Sequence, residues 1–293
     1  MAFLFIAQTE VLISQQETIV PSGATLRLPG LMVTADWLVQ ALYHPALCLL
    51  DVREAASFDE GHIPGAVRVD LASLNREVDG VPGMLLSAER FARTMGRLGV
   101  SHRRPVVLYD DNWGLPAARV LWALTRYGHT NVAVLNGGID RWQEEDLPVS
   151  TEATVSTPAS FHLQPQDEHL ATRECLEEQI DNSNVVLLDT RAPGEFAAGH
   201  LPGAICWDWI NGVPLGSWDA MRPPGELRQE LAQLGVTSEK EIVTYCRTGA
   251  RAAHTYLLLR HLGFPRVRLY DGSWLDWSRH TKIRKELAHD DEV

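Results

Sequence analysis

The run Tyr245-Cys246-Arg247-Thr248-Gly249-Ala250-Arg251 places a thiol, two guanidinium groups and a glycine side by side. It follows Ile242-Val243-Thr244-Tyr245, which reads as a buried strand, and precedes Ala252 to Leu262, which reads as a helix. A cysteine at that corner faces the unpaired N–H groups and partial positive charge of a helix N-terminus. The amides of Arg247 to Arg251 can curl around its sulfur as an anion nest, and Gly249 permits the positive φ that such a turn needs. This placement favours the reactive thiolate. Arg247 and Arg251 offer planar forks suited to sulfonate-like or phosphate-like oxygens. Arg191 follows another strand end, where ligands of parallel α/β sheets bind. Cys246 is therefore the candidate nucleophile. Arg191, Arg247, Thr248, Gly249, Ala250 and Arg251 are the candidates to hold a small dianion. The competing reading is a buried, inert cysteine followed by solvated arginines, as strand-end cysteines usually are.

An internal repeat separates these readings. Leu49-Leu50-Asp51-Val52-Arg53 returns as Leu187-Leu188-Asp189-Thr190-Arg191, and Gly61-His62-Ile63-Pro64-Gly65-Ala66 as Gly199-His200-Leu201-Pro202-Gly203-Ala204, at one offset of 138 residues. Val107-Leu108-Tyr109 answers Val243-Thr244-Tyr245, and Gly137-Gly138 answers Gly272-Ser273. Asp110 stands where the second unit has Cys246, followed by Asp111-Asn112-Trp113-Gly114. The same scaffold without thiol or paired arginines points to one structural and one active copy. His62 and His200 occur in both, so their expected role is to fix the turn before Pro64 and Pro202. Glu195 is expected to pair with an arginine, and Ser57 replaces it in the first unit.

Each unit reads as helix (Ala35 to Tyr43; Arg173 to Asp181), strand (Leu47 to Val52; Val185 to Asp189), amphipathic helix (Glu89 to Leu98; Glu226 to Leu234), apolar strand (Val106 to Tyr109; Ile242 to Tyr245), helix (Pro116 to Tyr127; Ala252 to Leu262) and strand (Val132 to Leu135; Val267 to Leu269). Alternating strands and helices predict a parallel sheet covered on both faces, and the continuously apolar strands agree. The expected division is an N-terminal extension over 1–30, a first domain over 31–148, a Ser-, Thr-, Pro- and Gln-rich linker over 149–171 and a second domain over 172–293.

The chain has 293 residues, 38 acids against 26 bases and a formal net charge of -12. That balance argues against nonspecific nucleic-acid or anionic-membrane binding, so any anion must be held by a local cationic spot. The cysteines Cys48, Cys175, Cys206 and Cys246 show neither C-x-x-C pairing nor regular spacing. They suggest a reducing compartment rather than a disulfide framework. With no basic n-region and no apolar span of about 20 residues, a cytoplasmic protein is expected. A monomer is the expected assembly.

The paired units resemble a tandem-domain rhodanese, a sulfurtransferase. The motifs that carry the resemblance are Leu187-Leu188-Asp189-Thr190-Arg191 with Glu195-Phe196 and Gly199-His200-Leu201-Pro202-Gly203-Ala204, the loop Cys246 to Arg251, and Tyr270-Asp271-Gly272-Ser273-Trp274. It covers about Leu31 to His280. It implies two α/β rhodanese-like domains, 31–148 inactive and 172–293 catalytic, each a parallel sheet flanked by helices on both faces. Cys246 matches the persulfide-forming cysteine, and Arg191 a substrate-contacting arginine. Arg251 matches the loop arginine of bacterial members with C-x-x-x-x-R loops. The resemblance further implies thiosulfate as sulfur donor, cyanide or a thiol as acceptor, and no cofactor or metal.

Two departures concern the donor. Many thiosulfate-using members carry lysine where this chain has Thr248. Mercaptopyruvate-using members usually read C-G-[SA]-G-V-T, whereas here Arg247 and Ala250-Arg251 make the loop more cationic. That favours an inorganic sulfur anion, with 3-mercaptopyruvate as the alternative donor. Phosphatases and arsenate reductases of the related type use loops one residue longer, and Ala252 replaces their usual Ser or Thr. A noncatalytic sulfur or redox sensor is the remaining alternative, weakened by the lack of an evident resolving thiol.

Overall fold

The computed structural model describes residues 26–102 and 104–280. Most of the expected N-terminal extension and the end of the second domain lie outside these residues. The first unit runs β1 (Met32–Val33), α1 (Ala35–Ala41), β2 (Cys48–Asp51), α2 (Ala55–Glu60), β3 (Val67–Arg68), β4 (Asn75–Val78), β5 (Val81–Leu85), α3 (Ala88–Arg97), β6 (Val106–Tyr109), α4 (Leu115–Arg126), β7 (Val132–Leu135) and α5 (Gly138–Glu144). The second runs β8 (Leu170–Ala171), α6 (Arg173–Gln179), β9 (Val185–Asp189), α7 (Pro193–Ala197), β10 (Ile205–Cys206), α8 (Pro224–Gln233), β11 (Glu241–Tyr245), α9 (Ala250–His261), β12 (Val267–Tyr270) and α10 (Ser273–Trp277).

Each unit builds one five-stranded parallel sheet, ordered β1-β7-β6-β2-β3 in the first and β8-β12-β11-β9-β10 in the second. The central strands are buried on both faces because their apolar runs meet helices on each side. Helices α4 and α9 pack against each other across the units and join both halves into one apolar core. Ala117, Ala118, Ala252 and Ala253 in their first turns are fully buried, so the two backbones approach closely there.

Three features depart from the sequence reading. Leu170–Ala171, expected in the linker, pair with β12 as the edge strand of the second sheet. The rest of that connector is tied to the first unit: Ala159 N–H donates to Gly96 O, and Gln164 N–H to Tyr127 O. The third feature is an antiparallel hairpin, β4–β5, turning at Asp79-Gly80. It has no counterpart strand pair in the second unit among the described residues.

Candidate functional site

Strand β11 delivers Cys246 to its carboxyl end, and α9 begins four residues later. Gly249 caps the helix at φ 89°, so the chain turns in the left-handed region that glycine enters without a Cβ clash. The turn aims the Gly249 N–H at the Cys246 sulfur, 3.1 Å away. The corner after β12 braces the loop from behind. Ser273 Oγ accepts from Cys246 N–H at 3.2 Å and donates to Tyr270 O at 2.8 Å. The Trp274 and Leu275 amides donate to the carbonyls of Cys246 and Arg247. Cys246 itself is buried, at 1% exposure.

Arg251, on the first turn of α9, lies beside this sulfur with its fork on Glu195 of α7, at 2.6 and 2.9 Å. Glu195 raises the guanidinium pKa above its ordinary value, with a smaller contribution from Cys246 and against the opposing effect of burial. Arg251 in turn holds the Glu195 carboxyl below the usual range. The expected Glu195–arginine pair is therefore present, and it orients the Arg251 guanidinium, which interacts with Cys246. Arg247 is exposed at the rim, Thr248 and Ala250 are half-buried, and Gly249 is buried.

Arg191 is placed differently from what its sequence position suggested. It is 2% exposed, with Nε and Nη2 on the Asp189 carboxylate at 2.6–3.0 Å and Nη2 on Gly199 O at 2.8 Å. The thiol-less unit repeats every contact: Arg53 Nη2 donates to Asp51 at 2.7 Å and to Gly61 O at 2.7 Å. The Nε–Nη2 edge, turned inward in both copies, holds the strand end to the following turn. The Trp274 ring lies 4.8 Å from the Arg191 guanidinium carbon. His62 and His200 also match: each stacks on the phenylalanine four residues before it and bonds that residue's carbonyl at 3.0 Å.

The first unit shows what this corner receives. Asp110 Oδ1 accepts from the Asn112 and Gly114 amides at 2.8 and 2.9 Å, and Oδ2 from Ala117 at 2.8 Å. A carboxylate thus fills the cradle at the head of α4. Burial still pushes its pKa up to about 6, against the three amides that favour its charge. Gly114 is the fourth residue after Asp110, whereas Gly249 is the third after Cys246, so the thiol corner is the tighter one.

Hairpin β4–β5, which the sequence reading passed over, reaches from the first unit onto the active-looking loop. A Cβ on Gly83 would stand 3.3 Å from Thr248 Cβ. Leu85 N–H donates to Asp271 Oδ2 at 2.8 Å. Of the other cysteines, burial pushes the Cys48 thiol up to about 11, Cys175 is half-buried on α6, and half-buried Cys206, on β10, has its Sγ 3.9 Å from Arg191 O. Trp207 is buried with its N–H on Glu230. Among the described residues, no three His, Cys, Asp or Glu side chains are grouped to hold a metal ion, and no helix is long and apolar enough to cross a membrane.

The Rhodanese-like domain model matches this chain twice, over residues 34–145 and 172–280. The chain belongs to the rhodanese family. The thiosulfate sulfurtransferase of Pseudomonas aeruginosa is 34% identical over 268 residues, covering 89% of this chain and 98% of that protein. The human 3-mercaptopyruvate sulfurtransferase is 32% identical over 280 residues, covering 87% and 94%. The crystal structure of the Escherichia coli 3-mercaptopyruvate sulfotransferase SseA superposes with a TM-score of 0.76 at 30% identity, over 84% of this chain and 99% of that one. With such relatives, this rhodanese is a sulfurtransferase of its family.

Proposed function

We propose that the protein transfers the sulfane sulfur of thiosulfate to cyanide or a thiol through a persulfide on Cys246. The observation that carries this is the corner itself: a sulfur receiving the Gly249 amide at the head of a twelve-residue helix, with Arg251 beside it. The Cys246 thiolate attacks the outer sulfur of thiosulfate. The new S–S bond forms as the old one breaks, and the electron pair of the broken bond leaves with sulfite. Three negative charges enter and three remain, two on sulfite and one on the persulfide. The loop amides and Arg251 are placed where that charge develops, which is the preorganised arrangement that lowers such barriers. Cyanide then takes the outer sulfur as thiocyanate and restores the thiolate, giving ping-pong kinetics. Exposed Arg247 makes the rim cationic against a net charge of -12 and draws the dianion in.

The Cys246-to-Arg251 spacing supports sulfur transfer over phosphate chemistry, because the cradle is sized for one sulfur. Incubation with thiosulfate should add one sulfur atom to the protein mass; cyanide should remove it, and Cys246→Ala should never gain it. No mass gain from thiosulfate or 3-mercaptopyruvate, together with turnover of para-nitrophenyl phosphate, would overturn the proposal. A kcat/KM comparison of the two donors decides between them, and the cationic loop favours thiosulfate.

A further inference from the structure

A buried ion pair crosses between the units directly beneath the thiol loop. Arg119, on α4 of the first unit, donates from Nη2 to Asp271 Oδ1 at 2.6 Å and to Gly83 O at 3.0 Å. The side chains are only 4% and 7% exposed. Asp271 spends its other oxygen on the Leu85 amide. Four residues are thereby tied at one point: the helix of the first unit, two positions of its hairpin, and the strand end that braces the second unit's loop.

Gly249 rests on this knot. A Cβ there would lie 3.0 Å from Arg119 Nη1, 3.2 Å from Asp271 O and 3.3 Å from Asp271 Oδ1. Arg119 Nη1 is buried and has no hydrogen-bond partner among the described residues. The residue pressed against the pair is the one whose N–H meets the sulfur, and Gly83, on the far side of the pair, is the one that abuts Thr248. The matching position on α9 is His254, which carries no ion pair among the described residues and bonds Ala220 O instead. The device is built toward the thiol corner and not toward the blank one.

We infer that Arg119, supplied by the unit without the thiol, is a positioning residue for sulfur transfer in the other unit. Its pair with Asp271 fixes the Gly249 amide on the Cys246 sulfur and holds β5 against Thr248. Losing Arg119 strands the Asp271 carboxylate as an uncompensated buried anion against Gly249. That charge repels both a thiolate and the incoming dianion. The other charged groups around the corner are Arg251 with Glu195, exposed Arg247, the inward Arg191–Asp189 pair, and, lining a cavity with Asp271, Arg76, Asp79, Arg126, Glu174 and the Arg173–Asp276 pair. All of them stay in place in the variant.

This inference rests on Cys246 as the sulfur carrier, and its test is separable from that reading. In the full chain, Arg119→Met and Arg119→Lys are compared with wild type by iodoacetamide alkylation of Cys246 across pH 5–10, by thiosulfate:cyanide kinetics and by thermal unfolding. Arg119→Met should move the rising limb of the alkylation profile to higher pH, with a roughly tenfold slower reaction at pH 7 for about one unit of displacement. Its kcat should fall at least tenfold. Arg119→Lys keeps the charge but not the fork, so it should recover the profile to within about threefold of wild type. A wild type that gains no sulfur sinks the proposed function. A wild type that gains sulfur, with Arg119→Met folded and its profile and kcat within twofold of normal, sinks this inference whatever its melting temperature. If Arg119→Met does not fold, the lysine variant is read alone by kcat, its alkylation profile being expected near wild type: a kcat loss of three- to fivefold supports positioning by the fork, and an unaltered kcat overturns it.

Discussion

Replacing Gly249 with alanine tests the geometry of the thiol corner most directly. The residue sits at φ 89°, where a Cβ costs about 1 kcal/mol. The new methyl would also stand 3.0–3.3 Å from Arg119 and Asp271, closer than ordinary contact, so either the loop or the ion pair must give by a few tenths of an ångström. The ion pair is buried and held by three hydrogen bonds, so the loop is expected to be the part that moves. Its N–H, 3.1 Å from Sγ, then swings off the sulfur. A hydrogen bond to a charged group is worth about 1.5–3 kcal/mol. Taking about 2 kcal/mol as the loss expressed in the transition state gives a roughly 30-fold drop in kcat/KM. Gly263→Ala is the control: its φ is 90°, and nothing lies within 4 Å of the added Cβ. Gly263→Ala should lose about 1 kcal/mol of stability, or ~2–4 °C in Tm, and Gly249→Ala at least as much. Only Gly249→Ala should lose activity in the thiosulfate:cyanide assay. Equal Tm losses with kcat/KM of Gly249→Ala within threefold of wild type would show that the amide does not serve the sulfur.

Glu195→Gln removes the carboxylate that orients Arg251, so kcat/KM for thiosulfate should fall about 3–10-fold, the range of about 1 kcal/mol. Its Tm should change little, because the pair is about one-third exposed and screened. Arg191→Met and Arg53→Met each leave a fully buried aspartate unpaired and should each cost about 3–5 kcal/mol in urea unfolding. KM should stay near normal in the folded fraction of both, and a KM rise of tenfold or more confined to Arg191→Met would restore a substrate contact for that residue. Burial lowers the pKa of His254 and His129 to about 4, below the 6.5 of an exposed histidine. The unfolded chain therefore takes up protons that the fold refuses, and stability should fall as pH drops from about 6.5 toward 4. Asp110, raised to about 6, works with the opposite sign, losing stability as pH rises from about 3.8 to 6. Two groups against one predict a net acid loss in urea midpoints. His254→Gln should shrink it, and an unchanged pH slope in that variant would remove His254 from the account.

The thiol corner was readable from sequence because strand, loop and helix are contiguous there. An apolar run, a glycine and the start of a helical segment dictate that Cys246 meets amides at a helix head. The repeat was equally plain, and with it the blank at Asp110. The role of Arg191 was harder, since a guanidinium after a strand can turn outward to an anion or inward to its own strand. A signal for the inward bond was present: Asp51-Val52-Arg53 and Asp189-Thr190-Arg191 share their spacing, and a bond kept by the thiol-less unit belongs to the scaffold, as with His62 and His200. Hairpin β4–β5 also left a mark, Asp79-Gly80 between two valines, which is a two-residue hairpin turn. It does not stand out as a strand pair because β4 is polar and β5 is interrupted by Pro82 and Gly83. The short helices α2, α5, α7 and α10, at five to seven residues, are too brief to display a helical period.

By itself, then, the sequence determined what local chemistry and periodicity can specify: the repeated α/β units, the thiol's corner and the copy that lacks it. Tertiary structure showed what holds the Arg251 guanidinium, Glu195 on α7. It also brought Arg119 to Asp271 across 152 residues and laid the first unit's hairpin over the second unit's loop. The physical reason is that a guanidinium's reach and partner depend on packing of α4 against α9. No residue spacing along the chain encodes that distance.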